Sequence, residues 1–99
     1  MRIHITSNAV ADIESIYAFL VARNADAASR LIDRIHRRIS FLVDMPRLGL
    51  REQRAGRQAR KLIVGRHLII YRVKAEAVVI LRVVDDRRDV ALVFKSRDA

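Results

Sequence analysis

The chain has no cysteine and no tryptophan, and only one proline and three glycines among 99 residues. Without cysteine there can be no disulfide, no thiolate nucleophile and no cysteine-based zinc site, a pattern that suits a reducing compartment. The three histidines, His4, His36 and His67, have no metal-ligand spacing between them. Each reads as an ordinary surface or interface histidine. There is no glycine-rich phosphate loop, no GxSxG elbow and no HExxH pair. No apolar run approaches the length of a membrane span. The opening MRIHITSNAVADIE has a cationic residue but no apolar h-region, so no signal peptide is expected. These absences lead us to expect a cytoplasmic protein with no cofactor, no metal and no membrane partner.

What is present is apolar and cationic. A hydrophobic fraction of 52% supports a genuine core, and the length suits one domain spanning residues 1–99. So short a chain buries a modest share of its surface and can lean on a partner. The net charge is +9 and unevenly placed. Residues 46–74 carry nine basic side chains and one acidic, or +8, while the segments before and after are close to neutral. Such a field favours an anionic partner, either nucleic acid or an acidic protein segment.

Periodicity gives the elements. Residues 2–6 alternate polar and apolar as a short strand. Thr6 and Ser7 offer an N-cap. Ile13, Ile16, Tyr17, Leu20 and Val21 then follow the spacing of one helix face. Asn24 and Asp26 interrupt that pattern. A second helix carries Ala28, Leu31, Ile32, Ile35, Ile39, Leu42 and Val43 on one stripe and ends before Pro46. Residues 46–56, PRLGLREQRAG, read as a basic surface loop. Three β-rich runs follow at 60–64, 67–73 and 78–84, the first two separated by Gly65-Arg66, a hairpin signal. The expected fold is α+β with order β-α-α-β-β-β: a helical hairpin packed on a small antiparallel sheet. Residues 90–99 are a C-terminal tail open to strand, helix or disorder.

The run ILRVVDDRRD at 80–89 raises the functional question, because an apolar strand ends there in clustered charge. Asp85, Asp86 and Asp89 could in principle gather Mg²⁺, but Arg87 and Arg88 compete for the same carboxylates. A self-neutralising turn at the strand end outweighs a metal site. Arg60, Arg72 and Arg82 fall inside apolar strands. Each must emerge at an edge, pair with an acid or line a groove. By strand parity Arg82 groups with Ile80 and Val84, and Tyr71 lies opposite Arg72.

Several motifs in order resemble one family. Ala9, Asp12, Ile13 and Ile16 form Ala-x-x-Asp-Ile-x-x-Ile; Pro46 and Gly49 form Pro-x-x-Gly. Arg60, Leu62 and Gly65 then run into Ile69, Tyr71, Arg72 and Val73, and ILRVV with a terminal Arg-Asp closes the pattern. Together these resemble the RelE/ParE superfamily of type II toxins, over roughly residues 2–89. The resemblance implies a toxin neutralised by a cognate antitoxin, ParD-like or similar, in a hetero-oligomer. It also implies one of two targets. ParE-like members inhibit DNA gyrase by protein contact. RelE-like members cut mRNA on the ribosome without a required metal, and Arg60, Tyr71, Arg82 and Asp85 would then be the candidate catalytic set. RelE-like ribonucleases place an acid/base residue late in the chain, whereas here that place is taken by Asp85 beside two arginines, which favour its ionised, weakly basic form. The ParE-like branch is therefore favoured. Arg57, Arg60, Lys61, Arg82, Arg87 and Arg88 are the expected target-binding groove.

Overall fold

The computed structural model describes residues 1–95. Strand β1 (Arg2–Ile5) turns Ile3 and Ile5 toward the core and leaves Arg2 and His4 exposed. Helix α1 (Ser7–Val21) begins where Thr6 Oγ1 accepts from the Ala9 amide at 3.2 Å, satisfying one of the first unpaired N–H groups. The same hydroxyl donates to Leu81 O at 3.1 Å, fastening the helix start to a strand far along the chain. Asn24 caps α2 (Ala25–Ser40) through Ala27 N. A single 3₁₀ turn, residues 41–43, ends the helical pair before Pro46.

The sheet has five strands in the order β1-β5-β4-β3-β2. Strands β3 (Ala59–Val64), β4 (His67–Lys74) and β5 (Ala77–Asp85) form the expected antiparallel meander. Gly65 takes φ +59° at the first position of the two-residue turn between β3 and β4, where hairpin turns call for glycine. β1 departs from the antiparallel expectation and pairs parallel to β5, Arg2 opposite Ala77 through Ile5 opposite Ile80. The helical hairpin explains this. It brings the chain back to the end of the sheet from which it left, so that the Met1 ammonium donates to Val43 O at 3.2 Å. β3 then sets out in the direction of β1, β4 reverses it, and β5 restores it.

Two further differences concern segments that lack a clear period. Residues 46–56 are not purely loop: β2 (Leu50–Arg51) pairs antiparallel with β3, and a 3₁₀ turn at 53–55 follows. In the tail, residues 90–95 form a short helix, α3 (Val90–Lys95), and the rest of the tail lies outside the described residues. α3 matters to the architecture. The hairpin covers one face of the sheet over Ile13, Ile35, Ile39, Leu42, Leu62 and Ile69. Val90, Val93 and Phe94 of α3 cover Leu68, Ile70, Leu81 and Val84 on the other. The sheet is thus the middle of three layers.

A β-bulge shifts the register of β4 against β5. Ile70 faces Arg82 and Tyr71 faces Ile80, leaving Leu81 as the extra residue. The bulge breaks the strict alternation assumed from sequence. Arg82 keeps the parity of Val84, on the α3 face, but Ile80 belongs to the hairpin face.

Candidate functional site

The charged stretch after β5 has a place for each acid. Asp85 accepts three hydrogen bonds from Arg87: the amide at 2.9 Å, Nε at 2.9 Å and Nη2 at 3.0 Å. Those bonds hold its carboxyl well below the usual carboxylate range. Asp89 accepts from the Ala91 and Leu92 amides and caps α3. Asp86 and Arg88 are exposed. Among the described residues no group of histidine and carboxylate side chains could hold a metal ion. ILRVVDDRRD is therefore a buried strand, a self-neutralised turn and a helix cap in succession.

Arg82 is held in the same manner. Its guanidinium meets Asp12 of α1 with Nε at 2.7 Å and Nη2 at 2.9 Å, and Asp12 also accepts from the Val83 amide at 2.9 Å. This fork locks α1 onto the half of β5 that β1 does not reach. Arg54, with two guanidinium bonds, and Lys61 both contact Glu52, which is only 3% exposed. Together they depress its carboxyl to about 2 against the opposing effect of burial.

Tyr71 and Arg60 are arranged around backbone. The fully buried Tyr71 donates from its hydroxyl to Pro46 O at 2.9 Å and accepts from the Gly49 amide at 2.8 Å. Burial pushes its phenol up. Arg60 Nη1 donates to Gly49 O at 2.8 Å. The Pro-x-x-Gly turn is thus a clamp on the tyrosine. Gly49 has no room for a side chain, since a Cβ there would sit 2.7 Å from Lys61 O and from the Tyr71 hydroxyl.

The six residues expected to line one groove do not converge. Arg87 and Arg88 lie at the Asp85 end of the sheet, Arg57 and Arg60 toward the opposite end, Lys61 on Glu52 and Arg82 on Asp12. What the structure does offer beside Asp85 is a cavity of about 560 Å³ between α1 and the ends of β4 and β5. Ile16, Phe19 and Leu20 of α1 form its apolar wall with Val83 and Val84, and Arg66, Arg88 and the Asp85–Arg87 pair form a charged rim. Phe19 is 59% exposed, with the Arg23 guanidinium 3.8 Å above its ring. His67 also lines this cavity. Its Nδ1 is buried with no hydrogen-bond partner among the described residues, and desolvation pulls its pKa down, favouring the neutral ring. Sequence reasoning missed Phe19, Arg66 and the position of His67. The two-residue turn at Gly65 was the available signal for where Arg66 and His67 lie, since it sets His67 opposite Val64, while the pairing of His67 with Asp85 comes from the β4–β5 register.

Residues 3–90 match the family model described as ParE toxin of type II toxin-antitoxin system, parDE. The chain belongs to the ParE toxin family. It is thus a type II toxin, and an antitoxin is its partner. A solved structure described as the chromosomal ParDE TA system from P. aeruginosa is similar to this ParE-family toxin over 86% of this chain and 95% of that one. The TM-score is 0.75 and the identity 23%, a likeness of fold. No match to the toxin is found among curated proteins. Among the described residues no helix is long and apolar enough to cross a membrane.

Proposed function

We propose that this toxin acts in the cytoplasm by binding DNA gyrase at the groove between α1 and the end of β5, without catalysis, and that a ParD-like antitoxin neutralises it. The observation that carries the reading is the Asp85–Arg87 pair. The one carboxylate where a late acid/base would sit is held ionised by three hydrogen bonds, and a strongly depressed carboxylate is a poor proton acceptor at neutral pH. Tyr71, the other candidate for proton transfer, has both functions of its hydroxyl engaged with backbone. The groove itself has the makeup of a protein contact. It has an exposed aromatic, an apolar wall and a charged rim in which Arg66 and Arg88 lie beside the Asp85–Arg87 pair, matching the anchor-and-rim pattern of protein interfaces.

A ribonuclease reading draws on one observation, the buried His67 Nδ1 that has no hydrogen-bond partner among the described residues and lies beside Arg66 and Arg87. One experiment separates the two. Purified toxin freed of antitoxin is expected to inhibit supercoiling by gyrase and to leave mRNA on translating ribosomes intact. Phe19→Glu is expected to abolish the inhibition while the thermal melt is preserved. Codon-associated cuts that appear within minutes of induction, and vanish in His67→Gln with gyrase unaffected, would reverse the assignment.

A further inference from the structure

At the end of the sheet away from Asp85 lies a second cavity, of about 370 Å³. Arg47, Arg51 and Arg60 line it together with Gln58, and its remaining walls are the small residues Ala59, Val73 and Ala75. We propose that this cavity binds the phosphodiester backbone of duplex DNA.

The state of the arginines is the first argument. Arg54, Lys61, Arg82 and Arg87 each face a carboxylate. Among the described residues no carboxylate lies within ion-pair distance of Arg47, Arg51 or Arg60. Arg60 is fixed by the Gly49 carbonyl at 2.8 Å, and Arg51 Nη2 reaches the Arg57 carbonyl at 3.3 Å. A carbonyl orients a guanidinium and leaves its full charge uncompensated. Arg51 and Arg60 are therefore placed, and they and Arg47 are still available to an oxyanion.

The second argument is extent. Arg57, Arg72 and Lys74 are exposed next to lining residues, and Arg72 pairs with Ala59 in the β3–β4 register. Glu76 follows in the adjoining turn but does not line the cavity. A track of six cations exceeds what one carboxylate needs and suits a polyanion. The third argument is what the walls lack. No large apolar side chain lines the cavity, so it has no anchor pocket of the sort protein partners use. No aromatic lines it either, so an unpaired base would find nothing to stack on. A regular duplex backbone needs neither. This site does not depend on the gyrase reading, and it lies at the opposite end of the sheet from the groove assigned to that contact.

The test uses full-length toxin freed of antitoxin and fluorescence anisotropy with a labelled duplex of about 20 base pairs and arbitrary sequence, across a salt series. The double variant Arg47→Gln/Arg51→Gln is compared with Arg30→Gln/Arg37→Gln, which removes the same charge from exposed positions of α2. The cavity variant is expected to lose about tenfold in affinity and to lower the slope of log K against log salt by about 2, with its thermal melt unchanged. The α2 variant is expected to lose less than about threefold. Equal losses from the two variants would reduce the site to net charge and overturn the proposal. So would absence of duplex binding at about 0.1 M salt, or tighter binding of single-stranded RNA of the same length. Polyglutamate that binds as tightly as the duplex and is lost with the same variant would transfer the cavity to an acidic polypeptide.

Discussion

The two ends of the sheet hold their arginines by different means. At the Asp85 end guanidinium meets carboxylate: Arg82 on Asp12 and Arg87 on Asp85. At the opposite end Arg60 and Arg51 meet carbonyls, on Gly49 and on Arg57, and among the described residues Arg54 alone of its arginines forks onto a carboxylate, that of Glu52. Both arrangements fix a long side chain. The first neutralises it and joins helix to strand, while the second leaves charge at the surface and stitches a loop to the sheet edge. Of the nine basic side chains of residues 46–74 only Arg54 and Lys61 meet a carboxylate among the described residues, that of Glu52, and the acids of residues 75–89 sit where they close turns and cap a helix. One residue type serves stability at one end and presents charge at the other.

The largest effect that would break this contrast is expected at Gly49. Gly49→Ala drives a Cβ into Lys61 O and the Tyr71 hydroxyl, and should cost about 3 kcal/mol by combining overpacking with a broken buried hydrogen bond. Urea titration measures it. A loss near zero would mean that the clamp is not a fixed element. Asp12→Ala comes next. It leaves Arg82, with 20% of its side chain exposed, without an acid and unties the Val83 amide, for an expected loss of about 2–3 kcal/mol. If Asp12→Ala behaves like an ordinary surface change in the same titration, the carboxylate-held end is not the more tightly joined of the two.

Acid titration sharpens the comparison through Glu52, the one acid inside the basic segment. Its folded value is depressed from 4.5 to about 2, so its contribution is fully present above 4.5 and is lost as pH falls toward 2. The shift corresponds to about 2 kcal/mol once the exposure of Arg54 is allowed for. Glu52→Gln should flatten stability between pH 5 and about 2. An unchanged pH profile would remove Glu52 from the account. The smallest effect is expected at Ala75, which takes φ +52° in the β4–β5 turn. Ala75→Gly relieves left-handed strain in a side-chain-bearing residue and should raise stability by about 0.5 kcal/mol, net of the added chain entropy. Thermal unfolding resolves the sign.

The elements that follow a period were legible in the sequence: the α1 and α2 stripes, the Thr6 cap, the Gly65 turn and the meander. Features that depend on distant parts of the chain were not. The parallel course of β1 follows from where the hairpin returns the chain, which no local window contains. The Leu81 bulge lies in a strand whose sequence carries no local mark of it, and it moved Arg82 away from the parity of Ile80. Tyr71, Pro46 and Gly49 were all visible as motif residues, but their meeting joins positions 25 and 22 apart. The candidate site was legible only in part for the same reason. Asp85, Arg87 and Arg88 were in view as a charge run, whereas Phe19 comes to them only through the packing of α1 on β5 and Arg66 only through the pairing of β4 with β5.

The parallel pairing of β1 with β5 also bears on how the molecule comes into being. The bond from Thr6 to Leu81 spans 75 residues, whereas α1 with α2 and the meander are closed by short connections. Contacts of such long separation carry a high loop-closure entropy and are expected late in folding. On the ribosome β1 leaves the exit tunnel first, yet the strand it joins is synthesised last. Until β5 emerges, Ile3 and Ile5 have no neighbouring strand, and Asp12 has no arginine to anchor α1. A nascent toxin therefore stays open along this seam until β5 has been made.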